Sequence, residues 1–365
     1  MTRRILGSQH LKGRGALSNP PVRFESTVVE KTDDGWYHED DDLHLASLPQ
    51  TVLPDRAKSV ITTNKSPDVG FDQSINPYRG CSHGCVYCFA RPTHAYLGLS
   101  PGLDFETKLF YKDNAVELLR AELGARNYEC KTIALGINTD GWQPLEKQME
   151  VTRSLLGVLA ECRHPISIVT KSALIVRDLD LLQDMARDRL VSVMVSITTL
   201  DNDIKRTLEP RTASPQARLK TLEQLSAAGV PVGVMVAPVI PSLTDHEMEH
   251  ILEAAKNAGA TRASYTLLRL PHEVKDLFRE WLAEHYPDRA QHVMSIISQS
   301  RGGKDYQAQF GTRMVGTGVF AELLRKRFQI AKRRLRLDEA DERFNLRADL
   351  FRPPAANRAQ MTLGF

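Results

Sequence analysis

The chain has 365 residues, of which 42% are hydrophobic and 25% are charged, and its formal net charge at pH 7 is +3. This composition predicts a water-soluble protein with one main domain, and the lack of a long apolar run excludes a membrane-spanning segment. Five sparse cysteines and no secretory signal argue against a disulfide framework and predict a cytoplasmic location.

The first 70 residues differ in composition from the rest of the chain. They are rich in Pro, Asp, Ser, Thr and Lys and include the acidic run 39–42. Such a composition is typical of segments that lack a packed core. We therefore predict an extended N-terminal arm over residues 1–70, partly ordered, before a core over 71–270 and a helical, basic C-terminal extension over 271–365.

The core region alternates short apolar runs with helical patterns. The predicted strands are a short one before Cys81 and then residues 132–137, 166–170, 190–198, 230–236 and 262–268. The predicted helices are residues 145–161, 178–186, one capped by Ser214 and one that opens at Thr244 with Glu247 completing a capping box. Apolar strands separated by helices predict a parallel sheet that is covered on both faces.

Six such units, with no G-x-G-x-x-G motif after any strand, favour an α/β fold of the partial (β/α)6 TIM-type barrel over a doubly wound dinucleotide fold. In both architectures the chemistry lies at the carboxyl ends of the strands. We therefore expect functional residues in the loops that follow the strands.

Cys81, Cys85 and Cys88 form a C-x3-C-x2-C motif directly after the first predicted strand. Iron–sulfur clusters normally take four cysteine thiolates, so a [4Fe-4S] cluster anchored by three leaves one iron open to another ligand. The motif therefore predicts a cluster whose fourth iron binds a second molecule.

Zinc is the main alternative for this motif, with His83 or a distant residue as the fourth ligand. Structural zinc sites usually combine two ligand pairs, and the sequence shows no second pair. Cys130 and Cys162 stand alone, and we expect them to be small core residues because free cysteine is among the most buried residue types.

The C-terminal extension contains a basic run, in which seven cations occur within residues 325–336. Such clusters are typical of surfaces that bind nucleic acid or other anions. A solvated helix face that is offset by the acidic residues between 338 and 342 has the same pattern. The sequence leaves both interpretations open.

The cysteine motif resembles the signature of the radical S-adenosylmethionine (SAM) enzymes, and residues 70–290 resemble the branch related to spore photoproduct lyase. The resemblance implies that SAM binds the open iron and that an electron from the cluster cleaves SAM to a 5′-deoxyadenosyl radical. It also implies a reducing partner such as flavodoxin or ferredoxin.

The resemblance further implies SAM contacts at the ends of the later strands. Thr139 and Asp140 match a segment near the SAM amino group, and Lys171 matches a lysine near its carboxylate. The other implied cofactor-binding residues are Ser196, Arg218, Val236, Ala237 and Pro238. SAM is a zwitterion, so a cation, a polar acceptor and an apolar surface suit its carboxylate, ammonium and adenine.

Two positions depart from spore photoproduct lyase itself. Ile137 occupies the place of a cysteine that donates hydrogen in that enzyme, and Phe89 replaces the second of two tyrosines around the last cluster cysteine, while Tyr87 is kept as a candidate catalytic residue. We therefore expect SAM cleavage but a different reaction. Nucleic acid is the first substrate candidate, before a peptide or small metabolite; the rival class is a non-catalytic iron–sulfur or zinc sensor or scaffold.

Overall fold

The computed structural model describes residues 13–24 and 49–354. Most of the predicted N-terminal arm, including its acidic run, therefore lies outside the described residues. The strands in the described part are β1 Thr51–Pro54, β2 Ile61–Thr63, β3 Gln73–Ile75, β4 Tyr78–Arg79, β5 Lys108–Tyr111, β6 Ile133–Leu135, β7 Ile166–Thr170, β8 Val191–Ser196, β9 Val232–Val239 and β10 Arg262–Leu267.

Helices connect these strands and follow the last of them. The α-helices are α1 Asp104–Thr107, α2 Ala115–Leu123, α3 Glu146–Met149, α4 Val151–Glu161, α5 Leu179–Arg187, α6 Asn202–Leu208, α7 Pro215–Ala227, α8 Met248–Asn257, α9 Val274–His285, α10 Pro287–Gln299 and α11 Gly318–Arg334. Short 3-10 helices span Arg91–Leu97, Ala173–Asp178, Asp245–Glu247 and Glu342–Phe344. Within the described part, no helix is both long and apolar enough to cross a membrane.

The main sheet has seven strands in the order β10-β9-β8-β7-β6-β3-β2. Six of them, β3 and β6 to β10, run parallel, and β2 adds an antiparallel edge. Helices lie between successive parallel strands, and in the described part of the chain the edge strands β2 and β10 are not paired with each other, so the barrel is not closed there. This confirms the predicted α/β fold with six parallel βα units in an open barrel. A smaller sheet contains β1, β5 and β4.

Burial alternates with the period of two of an extended chain on β7 and on part of β9, whereas β3 and β6 are buried at every position. On β7, Ile166 and Ile168 are buried in the main core, whereas Ser167 between them is partly exposed. On β9, Val236 is buried while Ala237 is partly exposed. Because the helices cover one face of the sheet, its concave face is the one that remains accessible.

Two predicted elements end differently from what the pattern indicated. The predicted helix 145–161 is split into α3 and α4, because Glu150 between them adopts a left-handed conformation with φ 51°. The predicted strand 132–137 is shorter, since β6 ends before Gly136, which has φ 82°. Hydrophobic periodicity does not register such single-residue changes of backbone direction.

The predicted cap of α7 is confirmed, but the predicted capping box before α8 is wrong. The Ser214 hydroxyl accepts a hydrogen bond from the Ala217 N–H at 3.2 Å. The Thr244 hydroxyl instead accepts from the Ile240 N–H at 3.0 Å. The Glu247 carboxylate turns away to accept from the Thr199 hydroxyl. A local turn therefore engages Thr244, and a distant partner engages Glu247, instead of the predicted box.

Candidate active site

The cysteine loop, residues 80–90, lies beyond the carboxyl end of β3, where the other parallel strands also end. All three motif thiols are free; Cys81 and Cys85 are buried, and Cys88 is partly exposed. Burial first, then the charges of Asp140, Cys85 and Cys88, raise the pKa of the Cys81 thiol well above its usual value. Cys85 and Cys88 therefore lie near Cys81, and burial disfavours the Cys81 thiolate unless a cation is bound beside it.

The donor set suits a cluster better than a single metal ion. Within the described residues, no three His, Cys, Asp or Glu side chains converge closely enough to hold one ion. His83, the alternative fourth zinc ligand, is buried and its Nδ1 lies 3.6 Å from Asp140 Oδ2. Burial lowers the pKa of His83 to about 4, so the ring is neutral. Three thiols on one loop, without a fourth donor, fit the larger cluster.

Arg91 anchors the cysteine loop through hydrogen bonds to its backbone carbonyls. Its Nε donates to the Cys85 carbonyl at 2.9 Å and its Nη2 donates to the Gly84 carbonyl at 3.2 Å. The same guanidinium forms a fully buried ion pair with Glu106. The Glu106 carboxylate also accepts hydrogen bonds from the backbone N–H groups of residues 15 and 16, at 3.1 and 2.8 Å. One ion pair therefore joins the loop to the segment 13–24.

The segment 13–24 approaches the cysteine loop as closely as two backbones can. A Cβ atom on Gly15 would lie 1.8 Å from the Gly84 carbonyl oxygen. Gly84 itself has φ 70°, and a Cβ there would lie 2.7 Å from a carboxylate oxygen of Glu106. Both positions therefore require glycine, one for space and one also for its left-handed backbone.

Gln143 fixes the other side of the loop. Its Oε1 accepts from the Ser82 N–H at 2.8 Å, and its Nε2 donates to the Gly80 carbonyl at 3.3 Å. Gln143 is fully buried, so these bonds act without competition from water. Its neighbour Trp142 is anchored by an indole N–H that donates to Asp178 at 2.8 Å.

Glu209 is the centre of a buried polar network behind the loop. It forms an ion pair with Arg218 and accepts hydrogen bonds from the hydroxyls of Tyr87 and Thr198. Burial alone raises the pKa of Glu209, but the charges of Arg218 and Lys171 outweigh it and hold the pKa at about 2. Glu209 is therefore ionised.

Tyr87, the candidate catalytic residue, belongs to this network. Burial and the charge of Glu209 raise the pKa of Tyr87 well above its usual value. Lys171 lies on the same side, with its Nζ 5.8 Å from the Tyr87 ring centroid. The side chain of Lys171 is partly exposed at the end of β7. It is therefore the cation that can reach a ligand over the concave face.

The two candidate contacts to the SAM amino group have partners within the protein. The Thr139 hydroxyl donates to the Tyr78 carbonyl at 3.0 Å. The Asp140 carboxylate accepts from the Trp142 N–H at 2.9 Å and from the Lys171 N–H at 2.8 Å. Asp140 also accepts from Thr170 and remains partly exposed. Asp140 therefore links the ends of β6 and β7.

The remaining predicted SAM contacts differ in how deeply their side chains are buried. Arg218 is 1% exposed; it donates to the Ser196 carbonyl at 2.9 Å and pairs with Glu209. Val236 and Pro238 are buried, whereas the side chain of Ala237 is partly exposed. Asp140, Lys171 and Ala237 are thus the predicted contacts that are partly exposed, whereas Arg218 is buried.

The structure also adds residues that sequence reasoning did not select. Arg91, Glu106, Gln143 and Glu209 all position the loop or its surroundings and are fully buried. A buried charged residue gives no local pattern, although the proximity of Arg91 to Cys88 and the Glu-Pro pair at Glu209 are usable signals. Cys130 and Cys162 lie before β6 and β7, at the end of the sheet away from the loop.

Comparisons with known proteins show which family the chain resembles. The radical SAM superfamily matches residues 75–255. An uncharacterized protein of Mycobacterium tuberculosis is 41% identical over 230 residues, which are 62% of this chain and 68% of that protein. An uncharacterized protein of Methanocaldococcus jannaschii is 27% identical over 257 residues, which are 70% of this chain and 90% of that protein.

Solved structures share the architecture. Spore photoproduct lyase complexed with dinucleoside spore photoproduct superposes with a TM-score of 0.55 and 16% identity, over 78% of this chain and 79% of that chain. A variant of the same enzyme gives a TM-score of 0.56 over 78% and 80% of the two chains, also at 16% identity. At this identity, the similarity establishes the fold.

Proposed function

Because the chain belongs to the radical SAM superfamily, we propose that it cleaves SAM reductively at a [4Fe-4S] cluster held by Cys81, Cys85 and Cys88. The observation that carries the proposal is three free thiols on one loop above an accessible concave sheet face. When bound, the cluster and SAM supply the electron and the 5′-deoxyadenosyl radical that abstracts hydrogen from the substrate.

The protein's own residues hold and orient the reactants. Lys171 would bind the SAM carboxylate and Asp140 would accept from the SAM ammonium; both residues are partly exposed, which supports these roles. The backbone of residues 236–238 and the side chain of Ala237 offer surface to adenine. Arg218 and Ser196 support the site from its buried side. Arg218 donates a hydrogen bond to the Ser196 carbonyl and forms an ion pair with Glu209.

We propose nucleic acid as the substrate class, although not the reaction of spore photoproduct lyase. Ile137 is partly buried just beyond β6, and an aliphatic side chain cannot deliver a hydrogen atom as a thiol does. Support for nucleic acid comes from the shared fold with an enzyme whose structure was solved in complex with dinucleoside spore photoproduct. A flavodoxin or ferredoxin as reductant, and the reducing cytoplasm as location, suit an oxygen-labile cluster.

The basic run of the C-terminal extension does not line the concave face. Residues 318–334 form α11, which packs against α8 and β10. Within the run, Arg327 pairs with Glu249, and Phe328 packs on Tyr265. The cations of α11 therefore lie on the outer side of the barrel. They could attract an anion there, but not at the concave face.

The test is formation of 5′-deoxyadenosine from SAM by anaerobically reconstituted protein with dithionite. A variant with alanine at Cys81, Cys85 and Cys88 is expected to lose iron, sulfide and product. Cys130→Ala, which removes a thiol at the far end of the sheet, is the matched control and is expected to retain all three. A colourless protein with stoichiometric zinc contradicts the proposal, and so does a fully loaded cluster that yields no product with any nucleic-acid substrate offered.

A further inference from the structure

Two arginines lie close together at the carboxyl end of β10 without a carboxylate partner in the described part of the chain. Arg301 is 1% exposed, and its guanidinium donates only to backbone carbonyls. These are the carbonyls of residues 267, 268, 312 and 313, at 2.7 to 3.3 Å. Burial first, and then the charge of Arg269, lower the pKa of Arg301 to about 10. This corner of the barrel mouth is therefore positively charged.

Arg269 has unused hydrogen-bonding capacity. Its Nη1 lies 3.3 Å from the sulfur of Met314, which is a weak acceptor. Its Nε is buried and has no hydrogen-bond partner among the described residues. Leaving a buried charged donor unsatisfied is costly, and an anionic oxygen is the partner that removes this cost. Arg269 is only partly exposed, so such an anion must enter the mouth to reach it.

An aromatic ring lies directly beside this arginine. The Cζ atom of Arg269 is 5.7 Å from the ring centroid of Phe89. Phe89 follows Cys88 in the sequence and is 44% exposed. The exposed ring provides a surface for stacking, and the guanidinium beside it can donate hydrogen bonds to an anion. Sites for single-stranded nucleic acid combine aromatic rings that stack the bases with positive charge that follows the backbone.

We propose that Arg269 binds a phosphodiester group of a single-stranded or unpaired nucleic acid while Phe89 stacks an adjacent base. This inference rests on the nucleic-acid substrate class of the proposed function and assigns it a surface. The contact brings a nucleotide to the residue next to Cys88, where the chemistry takes place. The basic face of α11, on the outer side of the barrel, has no such access.

The test is fluorescence anisotropy of a labelled oligothymidylate with the cluster-loaded protein over a series of salt concentrations. Arg269→Gln is expected to weaken binding about tenfold and to reduce the salt slope by about 0.7, the value for one phosphate contact on a single strand. Arg333→Gln, which removes an exposed arginine from α11, is the control and is expected to change binding less than twofold. Equal losses in the two variants overturn the assignment.

The stacking contact is tested separately with Phe89→Leu, which keeps an apolar side chain. Binding of the oligothymidylate is expected to weaken about tenfold, whereas an abasic strand of equal length is expected to bind both proteins alike. Loss of binding to both strands, or to neither, contradicts the stacking role. Iron content and thermal unfolding check that each variant is folded; if Arg269→Gln is not, Arg269→Lys is expected to fold and to bind about threefold more weakly.

The inference and the proposed function fail in different ways. If the parent protein forms 5′-deoxyadenosine but does not bind the oligonucleotide at low salt, the inference is wrong and the radical chemistry stands. If it binds with the expected dependence on Arg269 but forms no product, the surface assignment stands and the catalytic proposal fails.

Discussion

Arg91 and Glu106 form a fully buried ion pair beneath the cysteine loop. Arg91 donates to carbonyls of the loop, and Glu106 accepts from the backbone of residues 15 and 16. A buried pair of this kind adds little net stability by itself, but it determines which segments meet. Here it brings the N-terminal segment 13–24 against the cysteine loop. The positions of both the segment and the loop therefore depend on this ion pair.

We predict that Glu106→Gln lowers the free energy of unfolding by about 3 kcal/mol, because Arg91 is then left buried without a counter-charge. Glu161→Gln is the control, since Glu161 pairs with Arg120 and both side chains are more than 40% exposed. That substitution is expected to cost less than about 1 kcal/mol. Urea unfolding of both variants measures the difference, and similar costs would show that the buried pair is dispensable.

We predict that Gly15→Ala detaches the segment 13–24 from the cysteine loop. The added methyl group would lie 1.8 Å from the Gly84 carbonyl oxygen, so one of the two backbones has to move. The expected results are faster proteolysis within this segment and lower iron retention after gel filtration. Gly70→Ala is the matched control, because a Cβ there has no heavy atom within 4 Å. Unchanged proteolysis of Gly15→Ala would contradict this contact.

We predict that Lys171→Met weakens SAM binding at least tenfold while iron content stays the same. Removing a charged hydrogen-bond donor from a carboxylate costs about 1.5 to 3 kcal/mol. Equilibrium binding of SAM to the cluster-loaded protein measures the change. Lys220→Met, on the exposed side of α7, is expected to bind SAM as the parent does. If the two variants bind alike, Lys171 does not contact the carboxylate.

We predict that His164 makes the protein less stable in mild acid. Burial lowers the pKa of His164 from 6.5 to about 4, so the unfolded chain binds its proton first as the pH falls. The stability that depends on the neutral ring is complete above pH 6.5 and is lost progressively down to about pH 4. Between pH 7.5 and 5.5 this residue accounts for a loss of about 1.5 kcal/mol.

The measurement is urea unfolding of the parent and of His164→Gln at both pH values. The variant is expected to be less stable at pH 7.5, because Nδ1 of the neutral ring donates to the Pro165 carbonyl at 3.0 Å and Nε2 accepts from the Tyr128 hydroxyl at 2.7 Å. Between pH 7.5 and pH 5.5, the free energy of unfolding of the variant is also expected to fall by less than that of the parent. An equal loss in both proteins would assign the acid sensitivity to other groups.

Much of the architecture was predictable because its signals are local. β7 was predicted to the residue, and the Ser214 cap of α7 was predicted from Ser-Pro before a helical pattern. Periodicity and caps depend on residues a few positions apart, so the sequence displays them directly. The split at Glu150 and the diverted side chains of Thr244 and Glu247 were not predictable, because a backbone turn or a distant partner decides them.

The sequence by itself determined the three thiols of Cys81, Cys85 and Cys88 and the succession of six βα units along the chain, since ligand spacing and hydrophobic period are properties of neighbouring residues. Only the tertiary structure decided that Glu106 supports the cysteine loop and that Arg269 lies beside Phe89. Buried ion pairs and contacts of this kind join residues far apart in the chain. Their energy depends on burial and distance, which exist only once the sheet has formed.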